Sequence, residues 1–237
     1  MSDSDGGTVV QYEFGLPDGT TRSFAVEVGP DRVDSGPPEP PDWAALDFHK
    51  CPHCPLDTAE EPFCPAALSI ASLAEAVDGL WSHDIVSLKV RTPERSFSFS
   101  PIPLQAGLQS LMGLVLPTSG CPHTAFFRPM ARFHVPLATI EESAYRVASM
   151  YMLGQWIRKD EGEEVKFDFD GLNELYDRVK IVNHHLHKRL EEFETDASQN
   201  AVALLYVLAE LLPRMLDDSL ASIRPLFAAY FAEDEAP

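Results

Sequence analysis

Basic residues are scarce in this chain, cysteines number only four, and no stretch of about 18 uncharged apolar residues occurs anywhere. Each shortage excludes something. Without a long apolar run no membrane-spanning helix is expected. The opening MSDSDGGTVVQYEF also lacks the basic and apolar regions of an export signal, so the chain reads as soluble and cytoplasmic with no membrane partner. Eighteen Lys and Arg against 37 Asp and Glu give a net charge of −19, which repels phosphate backbones and argues against a nucleic-acid partner. Four cysteines in a reducing compartment do not make a disulfide framework. G-x-S-x-G, P-loop and G-x-G-x-x-G patterns are missing too, so no catalytic motif is recognised and catalytic residues stay unknown.

What is present begins with strands. VVQYEFGL and RSFAVEVG alternate apolar and polar residues around the turn PDGTT, which predicts a hairpin. Pro30, Pro37, Pro38, Pro40 and Pro41 then deny the chain regular structure, and Pro37 to Pro41 reads as a stiff exposed connector. The spacing of Leu68, Ile70, Leu73, Ala74, Val77 and Leu80 predicts a helix over 66–81, and DIVSLKVR with RSFSFSP predicts a second hairpin around TPE. Beyond Pro103 the pattern turns helical, from LQAGLQSLMGLVL into CPHTAFFRPMARFHVP. Further helices are expected over 140–159 with a Thr139/Glu142 capping box, over 171–193 with Asp170 as cap, and as a pair over 197–231 with a break or kink near Pro213. The chain closes on an acidic tail, FAEDEAP. The expected fold is α+β: an antiparallel ββαββ module over 1–100, carrying Cys51, Cys54 and Cys64, packed on a helical bundle over 101–237 that carries Cys121, in one compact unit. The bundle is the surface that a protein partner or a second copy would use.

All four cysteines precede proline, as Cys51-Pro52, Cys54-Pro55, Cys64-Pro65 and Cys121-Pro122. A proline after a thiolate ligand stiffens the loop and removes one amide donor while leaving the following amides free to face the sulfur. Four thiolates complete a tetrahedral zinc site or the ligand set of a 4Fe-4S iron–sulfur cluster. The spacing C-x2-C-x9-C with a distant fourth cysteine is more familiar from iron–sulfur proteins than from paired zinc knuckles, and Leu56, Phe63, Ala66, Ala67 and Ala125 to Phe127 would shield a cluster. His49, His53 and His123 lie within three residues of a cysteine, as substitute ligands or hydrogen-bond partners of the sulfurs. Arg128, Arg132 and His134 accompany Cys121, where cations would offset a thiolate centre. His184 and His187 share a helix face, read as a solvated one beside Lys188 and Arg189.

Two alternatives stand beside the metal reading, which is of a structural or redox-sensing centre. Cys51-Pro52-His53-Cys54 has the dipeptide context of oxidising thioredoxin-fold oxidases, although Pro55 and Pro62 leave no room for the helix such a pair needs. The chain would otherwise be an interaction protein in which a metal only staples the fold. The stretches DFHKCPHCPL, FCPAA, SLMGLVLPTSGCPHTAFFRPMARFHVPL and ASMYMLGQW resemble a family of bacterial proteins of unknown function over nearly the whole chain. That resemblance implies one continuous unit and supplies no activity.

Overall fold

Alternation along the first strands sets which face of the sheet is covered. In the computed structural model, which describes residues 7–30, 36–191 and 196–232, β1 (Thr8–Gly15) and β2 (Thr21–Val28) form the first hairpin, with Val10, Tyr12 and Phe14 buried on one face. Asp18 fixes the turn by accepting from the Thr20 amide at 2.8 Å, and Gly19 takes the left-handed conformation there. β3 (Ile85–Arg91) and β4 (Ser96–Pro103) form the second hairpin, and β1 pairs with β3 in the register Tyr12 to Val90 and Phe14 to Leu88. The sheet is antiparallel throughout, in the order β2-β1-β3-β4. Between the hairpins, α1 (Pro65–Ala76) is shorter than its apolar spacing predicts, because the chain turns at Asp78-Gly79, where the glycine again has positive φ.

The rest is helical: α2 (Leu104–Val115), α3 (Arg128–Arg132), α4 (Ile140–Asp160), α5 (Asp170–Glu191), α6 (Asp196–Ile223) and α7 (Ala228–Ala232). The fold is therefore α+β. Among the described residues no helix is long and apolar enough to cross a membrane. α2 lies in the core, with Leu104, Leu108, Leu111, Met112 and Leu114 all fully buried. It approaches the sheet so closely that a Cβ on Gly107 would stand 2.5 Å from the Phe14 ring. α5 belongs to two cores at once. Val182, Leu186 and Leu190 pack in the cluster that holds the sheet, α1 and α2, whereas Leu172, Tyr176 and Val179 pack with Ala144 and Val147 of α4 and Ala209 of α6. At about 1.5–3 kcal/mol for each fully buried aliphatic side chain, this double burial fixes α5 firmly in place.

Several local expectations change. The expected capping box is present at the start of α4, where the Glu142 amide donates to Thr139 Oγ1 at 3.1 Å and the Thr139 amide to Glu142 Oε2 at 2.8 Å. CPHTAFFRPMARFHVP is not one helix: Pro122, Pro129 and Pro136 restrict it to a 3-10 turn over Ala125–Phe127 followed by the five-residue α3. α6 runs unbroken past Pro213, since burial of Ala201, Val202 and Ala209 outweighs one lost backbone hydrogen bond, and the interruption falls instead at Arg224-Pro225, where a 3-10 turn begins. Asp170 is the first residue of α5 rather than its cap. The segment from Pro37 to Pro41 is irregular as expected. The acidic tail beyond residue 232 and the expected helix end at Phe193 lie outside the described residues.

Candidate metal centre

The loop between β2 and α1 is closed at its neck by backbone. A 3-10 turn over Asp42–Ala44 leads into a bridge in which Ala45 pairs with Phe63, the Leu46 amide donates to Pro62 O at 2.9 Å and the Cys64 amide to Ala44 O at 2.7 Å. Cys64 thus sits at the neck, at the N-cap of α1 with Pro65 behind it. Cys51 and Cys54 lie on the loop held by that neck, in a turn closed by the Cys54 amide to Cys51 O at 3.0 Å. His49 enters the turn with a left-handed backbone, φ 45°.

Cys121 comes from the segment after α2, and the chain repeats the same local solution there. Cys121-Pro122-His123-Thr124 closes with the Thr124 amide to Cys121 O at 3.1 Å, and the two Cys-Pro-His turns meet. The His53 and His123 rings stack at 3.9 Å with 9° between planes, and His123 Nε2 donates to His53 O at 3.0 Å. His53 Nε2 donates in turn to Arg178 O on α5 at 3.1 Å, which leaves its Nδ1 buried without a partner. The result is a cavity of about 20 Å³ walled by Cys51, Cys54, Cys64 and Cys121 with Lys50, His123, His185 and Arg189. Leu46, Leu56, Pro65, Ala66, Val182 and Leu186 complete the wall, and among the described residues no carboxylate lines it.

Electrostatics follow from that crowding. Burial, reinforced by Cys64, Cys121 and Cys54, pushes the Cys51 thiol up to about 12. Burial also raises Cys121, opposed by the amide of His123 and by the hydroxyl and amide of Thr124. The amides two and three residues past the cysteine do face the sulfur. Arg189, only 2% exposed, supplies the countercharge: burial lowers its pKa, while Cys64, Cys51 and Cys54 act in the opposite direction. It also holds the neck of the loop, since Nη1 donates to Trp43 O and Ala45 O at 2.7 Å each and Nη2 to Leu46 O at 3.3 Å. Lys50 Nζ donates to Leu56 O at 2.6 Å, and His185 Nδ1 to His49 O at 2.9 Å. In a neutral His185 ring that bond leaves Nε2 as an acceptor.

Sequence reasoning expected three further groups beside Cys121, and the structure sends them elsewhere. Arg128 turns toward β2, donating to Pro117 O and Pro30 O, and Arg132 stacks over Phe133. His134 lines a separate cavity and bonds Tyr12 Oη. Their place beside the thiols is taken by His185 and Arg189, which share one face of α5 at i, i+4 spacing, and by Lys50. The i, i+4 spacing of a histidine and an arginine on a predicted helix was the available signal. The pair singled out from sequence faces away: His187 Nδ1 lies 3.5 Å from Glu191 and His184 packs near Tyr206.

Among the described residues no three His, Cys, Asp or Glu side chains stand at the mutual spacing that holds a metal ion, and the four cysteines are free thiols. Convergence of the sulfurs on one cavity and coordination geometry are thus different properties here, and the structure has the first. In comparisons with curated proteins and with solved structures, nothing matches the chain. Residues 10–228, a span that contains all four cysteines, match the family model described as Domain of unknown function (DUF6901), and the chain belongs to that family.

Proposed function

We propose that this is a metal-binding protein whose four cysteines together hold an iron–sulfur cluster. The observation that carries the reading is the convergence of Cys51, Cys54 and Cys64 of the loop before α1 and Cys121 of the segment after α2 on one cavity. The wall chemistry supports it. Four thiolates around a cluster carry net negative charge, and Arg189 and Lys50 on the cavity wall offset it, with Asp47 near enough to Arg189 to share part of its charge. The aliphatic side chains of the wall keep water from the inorganic sulfides. A cavity of about 20 Å³ has room for roughly one water molecule, so loading requires the half-buried Cys51–Cys54 turn to move outward for a cluster, or inward to bring four sulfurs within about 2.3 Å of a single zinc. The C-x2-C-x9-C spacing with a remote fourth cysteine favours the cluster.

The raised thiol pKa values bear on mechanism. Metal ligation needs thiolates, and burial holds Cys51 and Cys121 toward the thiol form, so loading displaces protons and affinity rises with pH. The same shift weighs against thiol–disulfide exchange through Cys51 and Cys54, which requires a thiolate near neutral pH. The first helix after the pair starts at Pro65 instead, with Cys64 as its N-cap. The centre joins the loop before α1, the segment after α2 and the face of α5, so its occupancy couples to the packing between the sheet half and the helical half. This is the property of a structural or redox-sensing staple.

Purification without oxygen, followed by a visible spectrum and analysis of iron, zinc and acid-labile sulfide, tests the reading. A brown protein containing iron and sulfide is the expected result. A colourless protein with one zinc would replace the cluster by a zinc staple. Absence of both metals together with a reducible Cys51–Cys54 bond would refute the metal reading.

A further inference from the structure

The thiol cavity carries two cations, and the fold uses them differently. Arg189 is committed to the carbonyls of Trp43, Ala45 and Leu46, and Asp47 lies near enough to share its charge. Lys50 is paired with no carboxylate. Its Nζ donates to Leu56 O of the same loop at 2.6 Å, and among the described residues it makes no ion pair, although Asp57, Glu60 and Glu61 follow on an exposed stretch of that loop. In a chain with 37 acidic and 18 basic side chains, this half-buried ammonium lines the thiols rather than pairing with the carboxylates of its own loop.

A fixed charge of that kind matters most where the charge of the site itself changes. A 4Fe-4S centre on four thiolates goes from two to three net negative charges when it takes up one electron, whereas four thiolates on zinc keep two throughout. The aliphatic wall of Leu46, Leu56, Val182 and Leu186 makes added charge costly, and a cation on the same wall offsets part of that cost. The amides of His123 and Thr124, which face the Cys121 sulfur, act in the same direction.

We infer that the centre is redox-active and that Lys50 sets its reduction potential, an inference resting on the iron–sulfur reading above. The cluster accepts one electron from a low-potential one-electron donor, such as a reduced flavin or a second iron–sulfur protein, and returns it to an acceptor of higher potential. No bond forms or breaks, and the Lys50 ammonium stabilises the reduced form more than the oxidised one.

The test is the midpoint potential of the full chain loaded without oxygen, titrated with dithionite in the presence of redox mediators and followed by the visible spectrum. Lys50→Met keeps the length of the side chain and removes its charge, and Lys50→Arg keeps the charge. At a fixed potential the reduced-to-oxidised ratio should fall about 10-fold in Lys50→Met, a shift of about 59 mV to lower potential, and stay within about 2-fold of wild type in Lys50→Arg, with iron and sulfide content unchanged in both. If Lys50→Met does not load, Lys50→Gln, which keeps a donor for Leu56 O, should show the same fall. A loaded cluster that dithionite leaves oxidised, a neutral variant within about 2-fold of wild type, or an equal fall in Lys50→Arg would each overturn the inference alone. Absence of iron and sulfide from the wild type would overturn it together with the reading it rests on.

Discussion

Replacing Arg189 by methionine should unlock the neck of the cysteine loop. The guanidinium is almost fully buried and makes two 2.7 Å bonds and one longer bond to the carbonyls of Trp43, Ala45 and Leu46, residues of the 3-10 turn and bridge that hold Cys64 in place. Methionine matches the apolar stem and removes every donor. Loss of the two short charge-assisted bonds costs about 1.5–3 kcal/mol each, with Ala45 O keeping the Phe48 amide at 3.2 Å, while the desolvation cost of the buried cation is relieved, so the net loss is expected at roughly 2–4 kcal/mol. Against a total stability of about 5–15 kcal/mol that is a large fraction. In urea, with a slope of about 2–3 kcal/mol per molar, the midpoint should fall by about 1–2 M with the slope unchanged. Arg189→Lys keeps a cation but cannot span three carbonyls, and should lose a substantial part of the same energy. A midpoint for Arg189→Met within about 0.2 M of wild type would refute the assignment of Arg189 as the clamp of the loop.

The remaining expectations concern the centre, pH and one helix cap. If the loaded centre ties the halves together, a chelator should lower the wild-type melting temperature by about 5–10 °C, and the same chelator should leave Cys121→Ser unchanged, as a melting series would show. Burial pulls the pKa of His134 down to about 3, so this histidine stays neutral in the fold while the unfolded chain takes up a proton below about 6.5. Its contribution is therefore complete above 6.5 and is lost toward pH 3 at about 1.4 kcal/mol per pH unit; urea melts of wild type and His134→Gln between pH 7 and 4 should show the gap between them closing at that rate, and a pH-independent gap would contradict it. Thr139→Ala removes one half of the α4 capping box and should cost about 1 kcal/mol in the same melts.

How much of this was legible in the sequence depends on the range of the interaction. The hairpins, the α4 cap and the long helices rest on alternation, periodicity and nearest neighbours, and all are present in the fold. Proline rules transferred unevenly. Pro122, Pro129 and Pro136 broke a predicted helical stretch, because α3 has little burial to compensate, whereas Pro213 did not break α6. The four Cys-Pro units suggested a common environment, yet the groups that complete it come from far along the chain. Arg189 reaches carbonyls more than 140 residues away, and no local pattern reports such a contact. His134 illustrates the converse. Thirteen residues from Cys121 it reads as a companion of the thiols, but its ring pairs with Tyr12, 122 residues earlier, because β1 carries Tyr12 to that side of α2. Asn183 looks from sequence like any polar residue on an amphipathic helix, and only the packing reveals its unpaired oxygen.

Whether four cysteines from two segments form one centre is read from the metal content per chain of the four single Cys→Ser variants, purified without oxygen beside wild type. Cys51→Ser, Cys54→Ser, Cys64→Ser and Cys121→Ser should each lose most of the metal, Cys121→Ser as severely as the others. Full metal content in Cys121→Ser, with loss confined to the Cys51–Cys64 loop variants, would contradict it.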